Sequence, residues 1–218
     1  MIKAIFIDYT GTMVLEDEPY TRELLGYFIG HSNMNDPREV LKVVWGKIKE
    51  YEALSHGDDF IRNDDRIDKI LAYCVENCGL EGDLDYMHET WRKIWVHAPL
   101  HDDVKPFFER SDKPVYVLSN DDLCYLEESM KEKELSPAGI ISAEIARSCK
   151  PDRKIFEKAL EMADASPDEV MFIGDSITSD VTPALELGIA PVLIVRSKDA
   201  DVSKVPEKVR VIRSLDEL

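Results

Sequence analysis

The sequence predicts an α/β protein built on a Rossmann-like, doubly wound parallel sheet. Short apolar runs rich in strand-forming residues recur at 4–7, 114–118, 139–142, 170–173, 191–195 and 209–212, and from residue 100 onward the stretches between them have helical character. Alternating strands and helices build a parallel sheet. The runs are continuously apolar, as strands covered by helices on both faces must be. Between the first and second runs, residues 15–98 read as helices with no convincing strand. The chain therefore divides into a core made of 1–14 and 99–218 and an all-helical block, 15–98, inserted after the first strand.

The first run, Ala4 to Ile7, stops at a single carboxylate, Asp8, followed by Thr10, Gly11 and Thr12, where the backbone must turn. Open α/β sheets bind ligands at the carboxyl ends of their strands, so Asp8 is a candidate site residue. By itself it could equally cap whatever follows. Inside the helical block, Asp36 and Pro37 form a helix start with proline at the first helical position. Val40, Leu41, Val44, Trp45, Ile48 and Tyr51 follow at helical spacing, and Gly57 ends that segment. Ile67, Ile70, Leu71, Cys74, Val75 and Cys78 form a second stripe, stopped by Gly79. Asp83 opens a third helix bearing Leu84, Met87, Trp91, Ile94 and Trp95, and Pro99 closes the region. Stripes of this kind are read as core packing before they are read as a substrate wall.

From residue 100, a short helix covers 104–110 and leads to the second strand. That strand runs out into Ser119, Asn120, Asp121 and Asp122, a helix-capping cluster before a helix that reaches about 135. Lys150, Pro151 and Asp152 begin another helix, with Ile155, Phe156, Ala159, Leu160 and Met162 along it. The fourth strand runs straight into Gly174, Asp175 and Ser176, and a short helix through Ala184 and Leu187 stops at Gly188.

Composition narrows the function. A formal net charge of −17 excludes nucleic acid and anionic membrane surfaces as expected partners. The same acidity means that an anionic substrate needs a local cation, either a metal or a placed Lys or Arg. No apolar run approaches the roughly 18 residues of a membrane span, and no basic-then-apolar leader is visible. Cys74, Cys78, Cys124 and Cys149 have neither zinc-site nor disulfide-scaffold spacing, so they read as reduced thiols and the expected location is cytoplasmic. The five histidines are scattered, without ligand spacing. Asp58, Asp59, Asp64, Asp65 and Asp68 read as a solvated face. Arg22, Arg62 and Lys47 could reach a substrate, and nothing selects among them.

Four polar stations stand at equivalent places: Asp8 after the first strand, Ser119 after the second, Lys150 at a helix start, and Asp175 after the fourth strand. Parallel strands ending on one edge bring such groups into one crevice. Two carboxylates, a lysine and a hydroxyl suit phosphoryl transfer: a carboxylate can attack phosphorus, and a magnesium ion (Mg2+) shared by Asp8 and Asp175 can hold nucleophile and phosphate together. Lys150 and Ser119 can bind the phosphoryl oxygens. A helix N-terminus at Ser119 and Asn120 would itself favour an anion.

The segments DYTGT, LSND, CKPD and GDSITSD, in that order, resemble the four motifs of the haloacid dehalogenase-like hydrolase superfamily. The resemblance covers the core and implies a magnesium-dependent phosphatase acting on a small phosphate ester, with 15–98 as a cap that closes over the substrate; the insertion itself suggests hinges near residues 14–17 and 98–100. By position, Asp8 resembles the nucleophile, Ser119 the phosphate-binding hydroxyl and Lys150 the charge-balancing lysine. Asp175 resembles the metal-binding acid, Asp180 a second acid supporting the metal, and Thr12 a turn or phosphate-contact residue. One position departs from the pattern. Family phosphatases usually carry a general acid–base aspartate two residues after the nucleophile, and this chain has Thr10. Threonine can still offer its carbonyl to a metal, but it cannot deprotonate water, a contribution of about 10²–10⁴-fold. Two alternatives stay open on that ground: a metal-independent 2-haloacid dehalogenase, and a non-catalytic protein that binds a phosphate or a partner.

Overall fold

The strands β1 (Ala4–Ile7), β2 (Val115–Ser119), β3 (Gly139–Ser142), β4 (Val170–Gly174), β5 (Ala190–Ile194) and β6 (Arg210–Ile212) form one sheet in the computed structural model, in the order β3-β2-β1-β4-β5-β6. Every pairing is parallel. The structure describes residues 1–15, 19–197, 202–203 and 205–218. β1 is central, with Ile7 level with Val117 of β2 and Ile173 of β4. Chain segments leaving β1, β2 and β4 therefore emerge side by side, at the point where strand order reverses.

Successive residues of a strand point to opposite faces. Ile5, Ile7, Val115, Val117 and Ile173 pack on one face, with Val104 and Phe107 of α5 (Val104–Arg110) and Leu126 and Met130 of α6 (Leu123–Glu132). Phe6, Leu118 and Phe172 pack on the other, with Ile155, Phe156 and Ala159 of α8 (Arg153–Ala163) and Ala184 of α9 (Thr182–Leu187). A four-residue helix, α7 (Ala143–Ala146), carries no periodic signal long enough to be read from sequence. A π-helical turn, Ile177–Val181, precedes α9 and was likewise not legible.

Residues 19–97 contain four α-helices among those described: α1 (Pro19–Gly30), α2 (Pro37–Leu54), α3 (Asn63–Cys78) and α4 (Leu84–His97). Asp36 caps α2 by accepting from the Arg38 N–H, Asp83 caps α4 through the Tyr86 N–H, and Gly79 ends α3 in a left-handed conformation. These helices share their own apolar cluster, which includes Leu24, Phe28, Ile67, Ile70, Met87 and Trp91. The chain enters and leaves them on paired strands of backbone: Val14 bridges Leu100, Leu15 N–H donates to Pro99 O, and His101 N–H donates to Met13 O. Of the first hinge expected near 14–17, residues 16 and 17 lie outside the described residues. No helix among the described residues is long and apolar enough to cross a membrane.

Candidate active site

The end of β1 delivers Asp8, a residue only 5% exposed. Its Oδ1 accepts from Lys150 Nζ at 2.5 Å, and the same ammonium donates to Asp180 Oδ1 at 2.7 Å. Asp180, buried in the π-helical turn, also accepts from the Ser176 N–H through Oδ2. Both of its oxygens are thus engaged by the chain. Asp175, exposed at the end of β4, completes a cluster in which one carboxylate oxygen each from Asp8, Asp175 and Asp180 lie within 4.8 Å of one another. The turn after Asp8 must be glycine at position 11. Gly11 has φ +79°, and a Cβ there would sit 2.5 Å from Asp175 Oδ2.

One lysine faces an excess of negative charge. Burial raises the pKa of Asp8; Lys150 opposes that, Asp180 reinforces it, and the net direction is up. Burial works against the charge on Lys150, but Asp180 and Asp8 outweigh it and the lysine holds its proton. The donor set fits a hard divalent cation: oxygen atoms only, carboxylates included, and more anionic charge than the single lysine neutralises.

The end of β2 contributes differently from what the capping reading expects. Ser119 Oγ donates to Asp121 Oδ2 at 2.7 Å and accepts from the Asp121 N–H. Asn120 holds Lys150 by its backbone: Oδ1 accepts from the Lys150 N–H at 2.6 Å and Nδ2 donates to its carbonyl. Asp122 does not cap α6, the helix it precedes; that role falls to Glu144, which accepts from the Leu123 N–H. Its carboxylate instead accepts from the Asn63 N–H at 3.0 Å, capping α3. Asp121 Oδ1 accepts from Asn63 Nδ2 at 3.1 Å, and Thr10 Oγ1 donates to Asp121 Oδ2 at 3.4 Å.

Asp8, Thr10, Ser119, Asn120, Lys150, Asp175 and Asp180 all line one cavity of about 580 Å³, roofed by α1 to α4. Thr12 does not. It is fully buried, its hydroxyl has no partner among the described residues, and its carbonyl accepts twice from Arg196. The apolar stripes of α2, α3 and α4 serve two ends: Val44, Ile70 and Trp91 belong to the helices' shared cluster and also line the cavity.

The model of the haloacid dehalogenase-like hydrolases matches residues 2–188. The chain belongs to this family. It is a HAD-like hydrolase, and the cluster of Asp8, Lys150, Asp175 and Asp180 lies at the sheet edge of that fold. Solved structures agree on the fold. YfnB of Bacillus subtilis, a HAD hydrolase bound to magnesium, is 16% identical, with 99% of this chain and 96% of that chain covered and a TM-score of 0.75. The L-2-haloacid dehalogenase of Xanthobacter autotrophicus with chloropropionic acid covalently bound is 17% identical, with 100% and 96% covered and a TM-score of 0.77. A HAD phosphatase of Thermococcus onnurineus is 19% identical, with 99% and 95% covered and a TM-score of 0.65. A comparison with curated protein sequences finds no match.

Several site residues of this HAD-like hydrolase were missed in the sequence. Arg22, Arg62 and Lys47 do not line the cavity; Arg66 and Lys49 do. Arg62 pairs with Asp122 and Glu144, and Lys47 with Glu50. Arg66, 4% exposed, donates to Asn63 Oδ1 and to Asn120 O, tying α3 to the end of β2. Arg66 lies three residues after Asn63, one turn along the same helix face, a spacing that could have signalled the pair. Arg196 and Asp103 carried no motif. Arg196 donates to Asp103 Oδ2 at 2.6 Å as well as to Thr12 O, bracing the turn that follows Asp8.

Proposed function

We propose that the protein is a magnesium-dependent phosphatase of a small phosphorylated metabolite, working through a phospho-aspartate at Asp8. The observation that carries this reading is the convergence of the Asp8, Asp175 and Asp180 carboxylates, two of which, Asp8 and Asp180, share the Lys150 ammonium. Asp8, Asp175 and the Thr10 carbonyl would hold the ion, with Asp180 in support. When bound, the ion would offset the like charges of nucleophile and phosphate.

An Asp8 carboxylate oxygen attacks phosphorus, the bond from phosphorus to the ester oxygen breaks, and the alcohol leaves with a proton from solvent. Water then attacks the acyl phosphate, releasing phosphate and restoring the carboxylate. Lys150 meets the charge that spreads onto the phosphoryl oxygens, held in place by Asp180 and by the side chain of Asn120. Ser119 Oγ offers a hydrogen bond to the phosphoryl group once it turns from Asp121. Thr10 has no acid–base capacity, so the second step is the slow one. The helical block, 15–98, acts as the cap.

The test is phosphate release from an aryl phosphate. Activity should require magnesium and vanish in Asp8→Asn; activity unchanged in Asp8→Asn contradicts the covalent route. A metal-independent 2-haloacid dehalogenase is the second reading, favoured by Thr10 in place of the acid. In that case halide release from 2-chloropropionate persists in chelator.

A further inference from the structure

We infer that the leaving group this site accepts is apolar, an aryl or alkyl alcohol carrying a single phosphate, rather than a sugar, a nucleotide or a bisphosphate. The inference rests on the phosphatase reading for the ester, and on the cavity for the group attached to it.

Away from the carboxylate cluster, the cavity walls are largely hydrocarbon. Leu24 and Phe28 of α1, Val44 of α2, Ile70 of α3, and Trp91 and Trp95 of α4 line the same cavity as Asp8. At about 580 Å³ the space falls within the roughly 300–1,000 Å³ of small-molecule clefts, far more than a phosphoryl group fills. Burying polar hydroxyls against such walls without partners costs about 1–3 kcal/mol each on protein-derived scales.

The polar groups that do line the roof are already engaged. Asn63 is held between Asp121 and Arg66. Arg66 Nη1 pairs with Glu52 Oε1 at 3.7 Å, and Lys49 Nζ with Glu52 Oε2 at 3.0 Å. Both cations among the described lining residues of the helical block thus share one glutamate. A second phosphate or a carboxylate on the substrate would have to break these pairs. It would also enter a site that already holds Asp8, Asp121, Asp175 and Asp180. An apolar group meets neither obstacle and releases water from hydrocarbon on entry.

The chain's three tryptophans, Trp45, Trp91 and Trp95, all line this cavity, so their emission reports its occupancy directly. The experiment has two arms, both with the full chain and magnesium. In the first, 4-nitrobenzylphosphonate, methylphosphonate and glucose 6-phosphate are titrated by calorimetry, with tryptophan emission followed in parallel. The nitrobenzyl compound should bind about 10- to 100-fold more tightly than methylphosphonate, the gain expected for burying one aromatic group, and should quench the emission. Its binding should carry a negative heat-capacity change. Equal affinity for the three, or tight nitrobenzyl binding that leaves the emission unchanged, overturns the inference. In the second arm, phosphate release is compared for 1-naphthyl phosphate, glucose 6-phosphate and fructose 1,6-bisphosphate. Preference for the naphthyl ester in kcat/KM supports the inference, and preference for either sugar ester overturns it. Tight, quenching nitrobenzyl binding with no phosphate released from any ester would leave the apolar cavity standing and defeat the phosphatase reading instead.

Discussion

The hydroxyl of Thr10 and the carboxylate of Asp121 face each other across the floor of the cavity at 3.4 Å. The acid missing two residues after Asp8 is thus matched in space by one from the end of β2. Burial raises the pKa of Asp121; Ser119, Arg66 and Asn63 oppose that, and the net direction is up. An aspartate introduced at position 10 would meet this carboxyl at hydrogen-bond range. Thr10→Asp alone is therefore expected to give little gain in phosphate release. Thr10→Asp combined with Asp121→Asn is expected to raise it by about 10²-fold, the range of a restored general acid–base group. Steady-state release from an aryl phosphate checks both. Equal rates for the single and double variants contradict the coupling of the two positions.

Asn63 joins the helical block to the core through Asp121 and Asp122. Asn63→Ala removes the side-chain bond to Asp121 and leaves a buried carboxylate short of a donor, a cost of about 1–3 kcal/mol. Denaturant unfolding should show that loss, and amide exchange across α3 should quicken more than in the sheet. A loss below about 0.5 kcal/mol, the range of ordinary surface substitutions, contradicts the anchoring role.

Asp103 gives the fold an acid-sensitive brace. Its Oδ2 accepts from Arg196 Nη1, Ser214 Oγ and the Leu215 N–H. Burial works to raise its pKa, but these donors and the charge of Arg196 outweigh burial and the net direction is down. The unfolded chain then binds this proton more readily than the folded one. The stabilisation is fully present above the ordinary aspartate pKa of about 3.9 and is lost as pH falls through the lower folded value. Asp103→Asn should be less stable than the unaltered chain at pH 7, and the difference should shrink as the pH is taken below about 4. A difference independent of pH over that range contradicts the brace.

Most of the framework was legible in the sequence because its signals are local. Each of the six strands is a short apolar run, and Asp36, Asp83, Gly79 and Gly188 punctuate helices by their own backbone and cap chemistry. Asp8, Lys150 and Asp175 could be placed because strand ends and a helix start locate them without any tertiary detail, whereas Asp180, inside the 177–181 turn, was placed only by the resemblance of its motif. What escaped depends on long-range contact. Asp122 looked like a cap for α6 and instead caps α3, 59 residues earlier in the chain. Arg196 reaches Thr12 across 184 residues. Thr12 looked like a site residue by its place in the motif, yet its side chain is turned into the interior. The helical stripes signalled burial at most positions, although Trp45, Val75 and Leu84 are exposed, and periodicity does not say whether the buried face meets another helix or a cavity.

Magnesium should stabilise the folded chain, because the carboxylate cluster exists only when folded. At a free concentration about 100-fold above its Kd, the ion should add about 2.7 kcal/mol, read as a rise in Tm. Asp175→Asn should abolish most of the rise. A rise that survives in Asp175→Asn places the ion elsewhere.

The central claim, that Asp8 is the group esterified during turnover, is tested most directly by acid quench and peptide mass spectrometry. The protein is mixed with an aryl phosphate and magnesium, quenched within one turnover, digested and read peptide by peptide. The account predicts one added phosphoryl group on Asp8, absent in Asp8→Asn and in chelator. Phosphate release at full rate with the label on another residue, or with none at all, would contradict it.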